Sequence, residues 1–401
     1  MLESEVINDV ADATPALSVA APRAYDVEIV GSWDVARTRY ANAFATGCAT
    51  PFQDPGWLSS WFASVGAAHE VESLIVFVAE RDTGQAVVAL PLIRHRANGL
   101  TIITFADLGV TDYNAPILGP AAPSTSEGAE VFWKAVIKAL PKADLIELKK
   151  IPEFVRGRPN PLALLGGVHP SHSPGFSVAL PDDWEAYVES LAKKFRKELG
   201  RSFRLFEKEG DTSFRRIETV DEALRVLEVM NEQQRARLEE MGYRYVLDEE
   251  DYHAFYHRLV SDGLEAGITI LTALVCGNEV VAALLGVTDG QSFAMVRLSH
   301  AGGDWMKIGP GRLVIDRTMH AACPRHSQCR LLDRGLSLQV RFRCCTEPAC
   351  RSHFRAELPC PSPRGTRSRQ SHGQAHLGQV RISLVPKTVR HRYRTYRASE
   401  Q

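Results

Sequence analysis

No run of about 18 consecutive apolar residues occurs in the 401-residue chain, so nothing in it reads as a helical membrane span. The first 22 residues hold acids but no Lys or Arg, and no apolar block, so they lack the basic start and apolar core of a secretory signal. This predicts a disordered acidic tail over 1–24 and a cytoplasmic protein. Also missing are a phosphate-binding Gly-x-x-x-x-Gly-Lys loop, a dinucleotide-binding glycine fingerprint and a Gly-x-Ser-x-Gly elbow. Cysteine is scarce before residue 323, where only Cys48 and Cys276 occur. With 45% hydrophobic and 24% charged residues, the composition is that of a folded globular chain long enough for one large or two ordinary domains.

A net charge of −1 conceals an asymmetry. Residues 323–401 hold 16 of the 47 Lys and Arg and 4 of the 48 Asp and Glu, which leaves 31 cations against 44 acids before them. Six of the eight cysteines also fall in that last stretch. A break this sharp marks a boundary.

Between the ends, the pattern predicts an α+β fold with mixed, mainly antiparallel sheets flanked by helices. In a first unit over 25–165, residues 57–65 read as a helix and 74–78 and 86–90 as a hairpin split by Arg81-Asp82-Thr83-Gly84. A strand over 100–105, a helix over 126–140 and a strand over 143–148 follow. The Pro- and Gly-rich stretch 157–175 reads as a linker. A second unit over 166–322 opens with one basic amphipathic helix from Trp184 toward Gly210. A helix over 219–242 comes next, with Thr219 and Glu222 at capping-box spacing, and then one over 251–264. Three consecutive antiparallel strands follow over 268–275, 280–287 and 292–298, and Gly309-Pro310-Gly311 leads straight into a helix over 312–322.

That last junction admits two readings: an ordinary Gly-Pro turn, or a loop whose exposed N–H donors and positive helix end suit a pyrophosphate, with Arg312 beside it. On the neighbouring strand end, Arg297, Ser299 and His300 are candidates for chemistry, His300 as a base by residue type. Asp112 and Tyr113 either hold a ligand in a cleft between units or form a polar turn before Pro116. The helix bearing Lys193, Lys194, Arg196, Lys197, Arg201 and Arg204 reads first as a solvated face, and also as a docking surface for an anionic acceptor.

Helices, a three-stranded meander and a Gly-containing loop opening a helix resemble the GNAT acetyltransferases. More narrowly, residues 30–322 resemble the GNAT-type acyltransferases of bacterial cellulose and exopolysaccharide clusters, related in architecture to Fem-type aminoacyl transferases. The residues carrying this are Pro51-Phe52-Gln53 with Trp57 and Trp61, Leu90-Pro91-Leu92, Asp107-Leu108-Gly109 with Asp112-Tyr113, the helix over 196–204, and Gly309-Pro310-Gly311-Arg312-Leu313. The resemblance implies two GNAT-like lobes, with acetyl-CoA or another acyl-CoA held in the second by Ile308, Gly309, Pro310, Gly311, Arg312 and Leu313. It implies catalysis by His300, Asp112 and Tyr113, and substrate binding by Arg297 and Ser299. The acceptor it implies is a small molecule or saccharide, with contact to polysaccharide-synthesis machinery and no nucleic acid. The alternatives are a Fem-like aminoacyl transferase and a non-catalytic GNAT-like binding module.

The tail 323–401 gathers Cys323, His326, Cys329, Cys344, Cys345, Cys350 and His353, but the spacings Cys-x5-Cys and Cys-x4-Cys do not match short zinc knuckles, so no metal is expected. Its composition is that of a GC-rich gene read out of frame. Codons for 337–343, read one base later, permit Arg-Tyr-Lys-Phe-Asp-Phe-Gly, which resembles the strand that closes this acyltransferase domain. The expectation is therefore a frame lost near Cys323, a disordered tail that supplies no late strands, and an inactive chain.

Overall fold

The structure, a computed structural model, describes residues 24–170, 175–180, 183–322, 328–331, 345–347 and 380–384. The expected tail over 1–24 lies, up to residue 23, outside the described residues.

The first unit comprises β1 (Tyr25–Val30), α1 (Trp33–Thr46), α2 (Pro55–Trp61), β2 (Glu72–Glu80), β3 (Ala86–Ala97), β4 (Leu100–Phe105), β5 (Ile117–Leu118), α3 (Ser126–Ala139) and β6 (Leu145–Ile151). A small hairpin, β7 (Phe154–Val155) and β8 (Arg158–Pro159), and β9 (His169–Pro170) lead out of it. The second comprises β10 (Gly175–Ala179), α4 (Trp184–Ser190), α5 (Lys193–Glu207), β11 (Thr212–Ile217), α6 (Val220–Glu240), α7 (Glu250–Glu265), β12 (Thr269–Cys276), β13 (Glu279–Thr288), β14 (Ser292–His300) and α8 (Pro310–Ala322). Beyond these lie β15 (Gln328–Leu331), β16 (Cys345–Glu347) and β17 (Val380–Leu384).

Both units run strand, two helices, three antiparallel strands, helix, strand. The order is β1-α1-α2-β2-β3-β4-α3-β6 in the first and β11-α6-α7-β12-β13-β14-α8-β15 in the second, and the last strand is parallel to its neighbour in each (β4 with β6, β14 with β15). The two sheets have the orders β1-β2-β3-β4-β6-β17-β9 and β11-β12-β13-β14-β15-β10-β16. The expected α+β fold of two like lobes is what the chain adopts.

Local chemistry explains the elements. In α3 the buried residues Ala129, Phe132, Trp133 and Val136 recur at helical spacing, and the Thr125 hydroxyl accepts from Gly128 N at the helix start. Strands β2 and β12 are apolar at nearly every position because helices cover both faces of each sheet. One core joins α3 to the first sheet through Val76, Leu90, Phe132 and Leu148. Another joins α5 and α8 to the second through Phe195, Leu199, Leu284 and Leu313. The third is shared: Trp57, Trp61 and Ile75 from the first lobe pack with Phe255, Leu259, Leu271 and Leu285 from the second, so α1, α2, α6 and α7 form one helical layer between the two sheets.

Four expectations need correction. The single helix from Trp184 toward Gly210 is broken at Leu191 and Ala192, both extended. The break lets Trp184 stack on His320 near one end of α8 while Ser202 bonds Arg312 near the other. Thr219 precedes α6 but its side chain makes no cap bond; the first turn closes by Ala223 N to Thr219 O, with Asp221 and Glu222 at the positive end. The expected linker 157–175 packs over part of its length, since Leu162 and Leu165 are buried in the first core and the Asn160 amide bonds Pro152 O and Leu162 N. Lastly, 323–401 does supply strands: β15 sits between β14 and β10, and β17 beside β6. Strand pairing uses the backbone, which any non-proline residue provides.

Asp54 caps α2 at the junction of the lobes, accepting from Gly56 N at 2.7 Å. Burial pushes its carboxyl up to about 6, with Asp289 of the second lobe adding to the rise and the Gly56 and Trp57 amides opposing it. The folded chain thus holds this proton more tightly than the unfolded chain, and stability falls as pH climbs from about 4 through 6. At 1.36 kcal/mol per unit, the charged form costs up to about 3 kcal/mol above pH 6. Asp54→Asn keeps the cap and removes the charge. It is expected to stabilise the chain by about 2 kcal/mol at neutral pH and by nothing near pH 4 in urea unfolding. A difference from the parent that does not change with pH contradicts this.

Candidate functional site

The site is built at the C-terminal end of β14. Its register with β13 shifts between Leu285↔Arg297 and Gly286↔Met295, so Val296 is an extra residue, a β-bulge that bends the strand. Gly286 permits the bend, because a Cβ there would lie 2.2 Å from the Phe293 ring. Strand β15 pairs with β14 only over Ser292–Ala294. Among the described residues, the β15-side edge of β14 from Met295 to His300 is therefore open.

From His300 the chain passes through a short turn, Gly303–Ile308, anchored by fully buried Ile308, and reaches Gly309 at φ 62°, ψ 59°, a left-handed conformation that favours glycine. Helix α8 starts at the next residue. Gly309 O accepts from Arg312 N and Leu313 N at 3.1 and 3.2 Å, and Pro310 has no N–H to offer. Gly311 N points out of this turn with no partner among the described residues. The first turn of α8 carries no acid. Its bare start thus combines a positive helix end with close backbone approach.

Gly311 also packs on His300: a Cβ there would lie 3.1 Å from His300 Cδ2. Nε2 of His300 is 3.0 Å from Arg237 Nη1 and Nδ1 is 3.1 Å from Ala301 O. Because the guanidinium only donates and the carbonyl only accepts, these contacts assign Nδ1 as the donor to Ala301 O and turn the Nε2 lone pair to Arg237. To accept a proton there, His300 must part from Arg237.

Arg297 and Ser299 turn to the helical layer and are only 3% exposed. Arg297 donates to Asn231 Oδ1 and Gln234 Oε1 at 2.8 and 2.6 Å and lies 4.6 Å over the Tyr256 ring; Ser299 donates to Gln233 Oε1 at 2.8 Å. Their placement is internal rather than at an open substrate face. Arg312 reaches α5, with Nη2 3.1 Å from Ser202 Oγ and Nη1 3.7 Å from Glu198, and its guanidinium lies against the α-carbon of Gly309. Leu313 is buried in the second core.

Tyr113 belongs to the lobe junction: its ring lies 6.0 Å from Phe52 and its carbonyl accepts from Gln53 Nε2. Asp112 is half-buried beside it. The structural organiser of this loop is Asp107, which accepts from Gly109 N, Thr111 N and Asn114 Nδ2 and pairs with Lys150 at 3.0 Å. Tyr252 of α7 donates to Leu108 O at 2.7 Å, tying the loop to the second lobe.

Sequence reasoning missed Gln233, Gln234 and Arg237, which follow the end of β14 rung by rung. One signal was available: Asn231 and Gln234 continue the stripe of Ala223, Leu227 and Met230, so polar groups had to be facing the core. Among the described residues no cluster of three or more His, Cys, Asp or Glu could hold a metal; Cys323, His326, Cys344, Cys350 and His353 lie outside them.

A family model for the acetyltransferase (GNAT) domain matches residues 193–337, from the start of α5 to beyond β15. Among solved structures, FemX is similar at a TM-score of 0.54 with 10% identity, over 80% of this chain and 95% of that one. A conserved protein of unknown function from Bacteroides thetaiotaomicron is similar at a TM-score of 0.47 with 11% identity, over 79% of this chain and 96% of that one. A tandem GNAT protein from the clavulanic acid biosynthesis pathway is similar at a TM-score of 0.41 with 11% identity, over 81% and 96%. No curated protein matches the chain. The family match thus falls on the second lobe, and the likeness to FemX, at 10% identity, is one of fold over both lobes.

Proposed function

We propose that the chain transfers an acyl group from acyl-CoA to an amine or hydroxyl of a sugar or cell-envelope precursor. The observation that carries this reading is the bare, acid-free start of α8 behind left-handed Gly309, set beside the open edge of a bulged strand. Ile308, Gly309, Pro310 and Gly311 would cradle the pyrophosphate, and Arg312 would stiffen that cradle from α5. The open backbone of β14 offers hydrogen bonds to the extended arm of the ligand and to the oxyanion that forms when the acceptor attacks the thioester carbonyl. In that attack the acceptor's N or O bonds to the carbonyl carbon, the C–S bond breaks, and the acceptor's proton passes to a base as the thiolate leaves. His300, which packs against Gly311, is the candidate base once freed from Arg237, and half-buried Asp112 is the candidate on the acceptor side, buried Tyr113 being committed to the lobe junction.

Calorimetry with acetyl-CoA tests the reading: saturable binding by the full chain supports it. Saturable binding of an aminoacyl-tRNA without acetyl-CoA binding replaces it with aminoacyl transfer, and binding of neither leaves a non-catalytic module. The out-of-frame reading of 323–401 has its own test. The gene read one base later from codon 323 is expected to encode an alternative ending whose strands would take the places of β15 to β17, and a stop codon early in that frame ends the idea.

A further inference from the structure

Helix α5 carries a surface that the acyl-transfer reading does not use. At 100° per residue, Lys193, Lys197, Arg201, Arg204 and Lys208 fall within an arc of about 80°, with Lys194 at its margin, along roughly 22 Å of helix. All six are exposed, and none makes an ion pair among the described residues. Of the nearby acids, Glu198 faces Arg312 and Glu209 pairs with Lys307, while exposed Glu207 flanks the stripe about 40° beyond Lys193, which leaves six cations against one acid on that face. Like charges at i, i+4 oppose a helix, and this row stands on a body in which acids outnumber cations 44 to 31 before residue 323.

We propose that this stripe docks the protein on an anionic lipid surface. The partner must be anionic by charge complementarity, since six cations are presented without internal partners. A lipid surface fits better than a nucleic acid because the stripe offers no aromatic ring to stack on a base and no amide to read one. It also has an apolar companion: Lys307–Glu209 at 2.9 Å ties the turn Gly303–Ile308 to the end of α5, and Met306 in that turn is 56% exposed. The apolar side of α5, with Phe195, Leu199 and Phe206, is committed to the core, so α5 lies on the surface and does not insert. Because α5 packs on α8, docking would hold the Gly309 turn about one helix diameter from the lipid headgroups, where a lipid-borne acceptor would be found. The inference does not depend on acyl-CoA binding.

The test is co-sedimentation of the full chain with vesicles of phosphatidylcholine alone and with about 30 mol% phosphatidylglycerol, at about 0.1 and 0.5 M NaCl. Binding to the anionic vesicles alone is expected, lost at the higher salt, and weakened by more than about 1,000-fold, in effect abolished, in Lys197→Glu/Arg201→Glu/Arg204→Glu. Should that variant misfold by circular dichroism, the Lys197→Gln/Arg201→Gln/Arg204→Gln chain is expected to bind about 100-fold more weakly than the parent. Equal binding to both vesicles, binding to neither, or preference for a short RNA duplex over anionic vesicles overturns the proposal.

Discussion

Trp57→Ala is expected to lower the free energy of unfolding by about 4 kcal/mol, within the range for buried aromatic truncations. Trp57 is fully buried and meets Phe255 of α7 edge-on at 5.0 Å and Phe52 edge-on at 5.1 Å. It is thus an aromatic from the first lobe seated on the helical layer of the second. The cavity would open between two helices each fixed to its own sheet, so neither can collapse freely into it, and the aromatic pairing of about 1 kcal/mol is lost as well. Urea unfolding followed by circular dichroism measures the change, and a loss below about 1 kcal/mol would mean that the lobes barely lean on one another.

Gly311→Asp is expected to weaken acetyl-CoA binding about 100-fold in calorimetry, close to 2.7 kcal/mol, with little change in stability. Two effects act together. The new Cβ would press on His300 at 3.1 Å, and a carboxylate would enter a first turn that now has none. The acid would compete with a pyrophosphate for the Gly311 N–H and repel it. Gly311→Ala separates the two, since it adds the contact without the charge and should cost only a few-fold. If Gly311→Asp binds acetyl-CoA as the parent does, the pyrophosphate lies elsewhere.

Much of the second lobe was legible because its signals are local. Period-two runs bounded by Gly277 and Gly290 mark β12 to β14, and Gly242, at φ 75°, ends α6 as a C-terminal glycine does. Helix α1 was not read: only Trp33, Ala36 and Tyr40 are buried in it, a stripe too thin to stand out among Asp34, Arg37 and Arg39. Strands β10 and β11 were hidden for another reason, since an edge strand such as β11, with Arg215 and Arg216 exposed, earns its place by pairing with β12. In the site, the Gly309 turn was visible as a sequence of special residues. The partners of Arg297, Ser299 and His300 were not, because they lie more than 60 residues away on α6 and become neighbours only through the fold. Tyr113 looked like a cleft residue for the same reason: its contact with Phe52 is a tertiary one.

The start of α3 differs from that of α8, although the two helices occupy the same place in the repeated order. Thr125 spends its hydroxyl on Gly128 N, and Glu127 places an acid in the first turn, where α8 has Pro310, Gly311 and Arg312. On the proposed reading only the start of α8, of these two equivalent helix starts, is free of both a side-chain cap and an acid, so the expected stoichiometry is one acyl-CoA per chain. The first lobe turns its corresponding loop, organised by Asp107, to another use: it braces α7 through the Tyr252 to Leu108 bond, so its sequence answers to packing between the lobes.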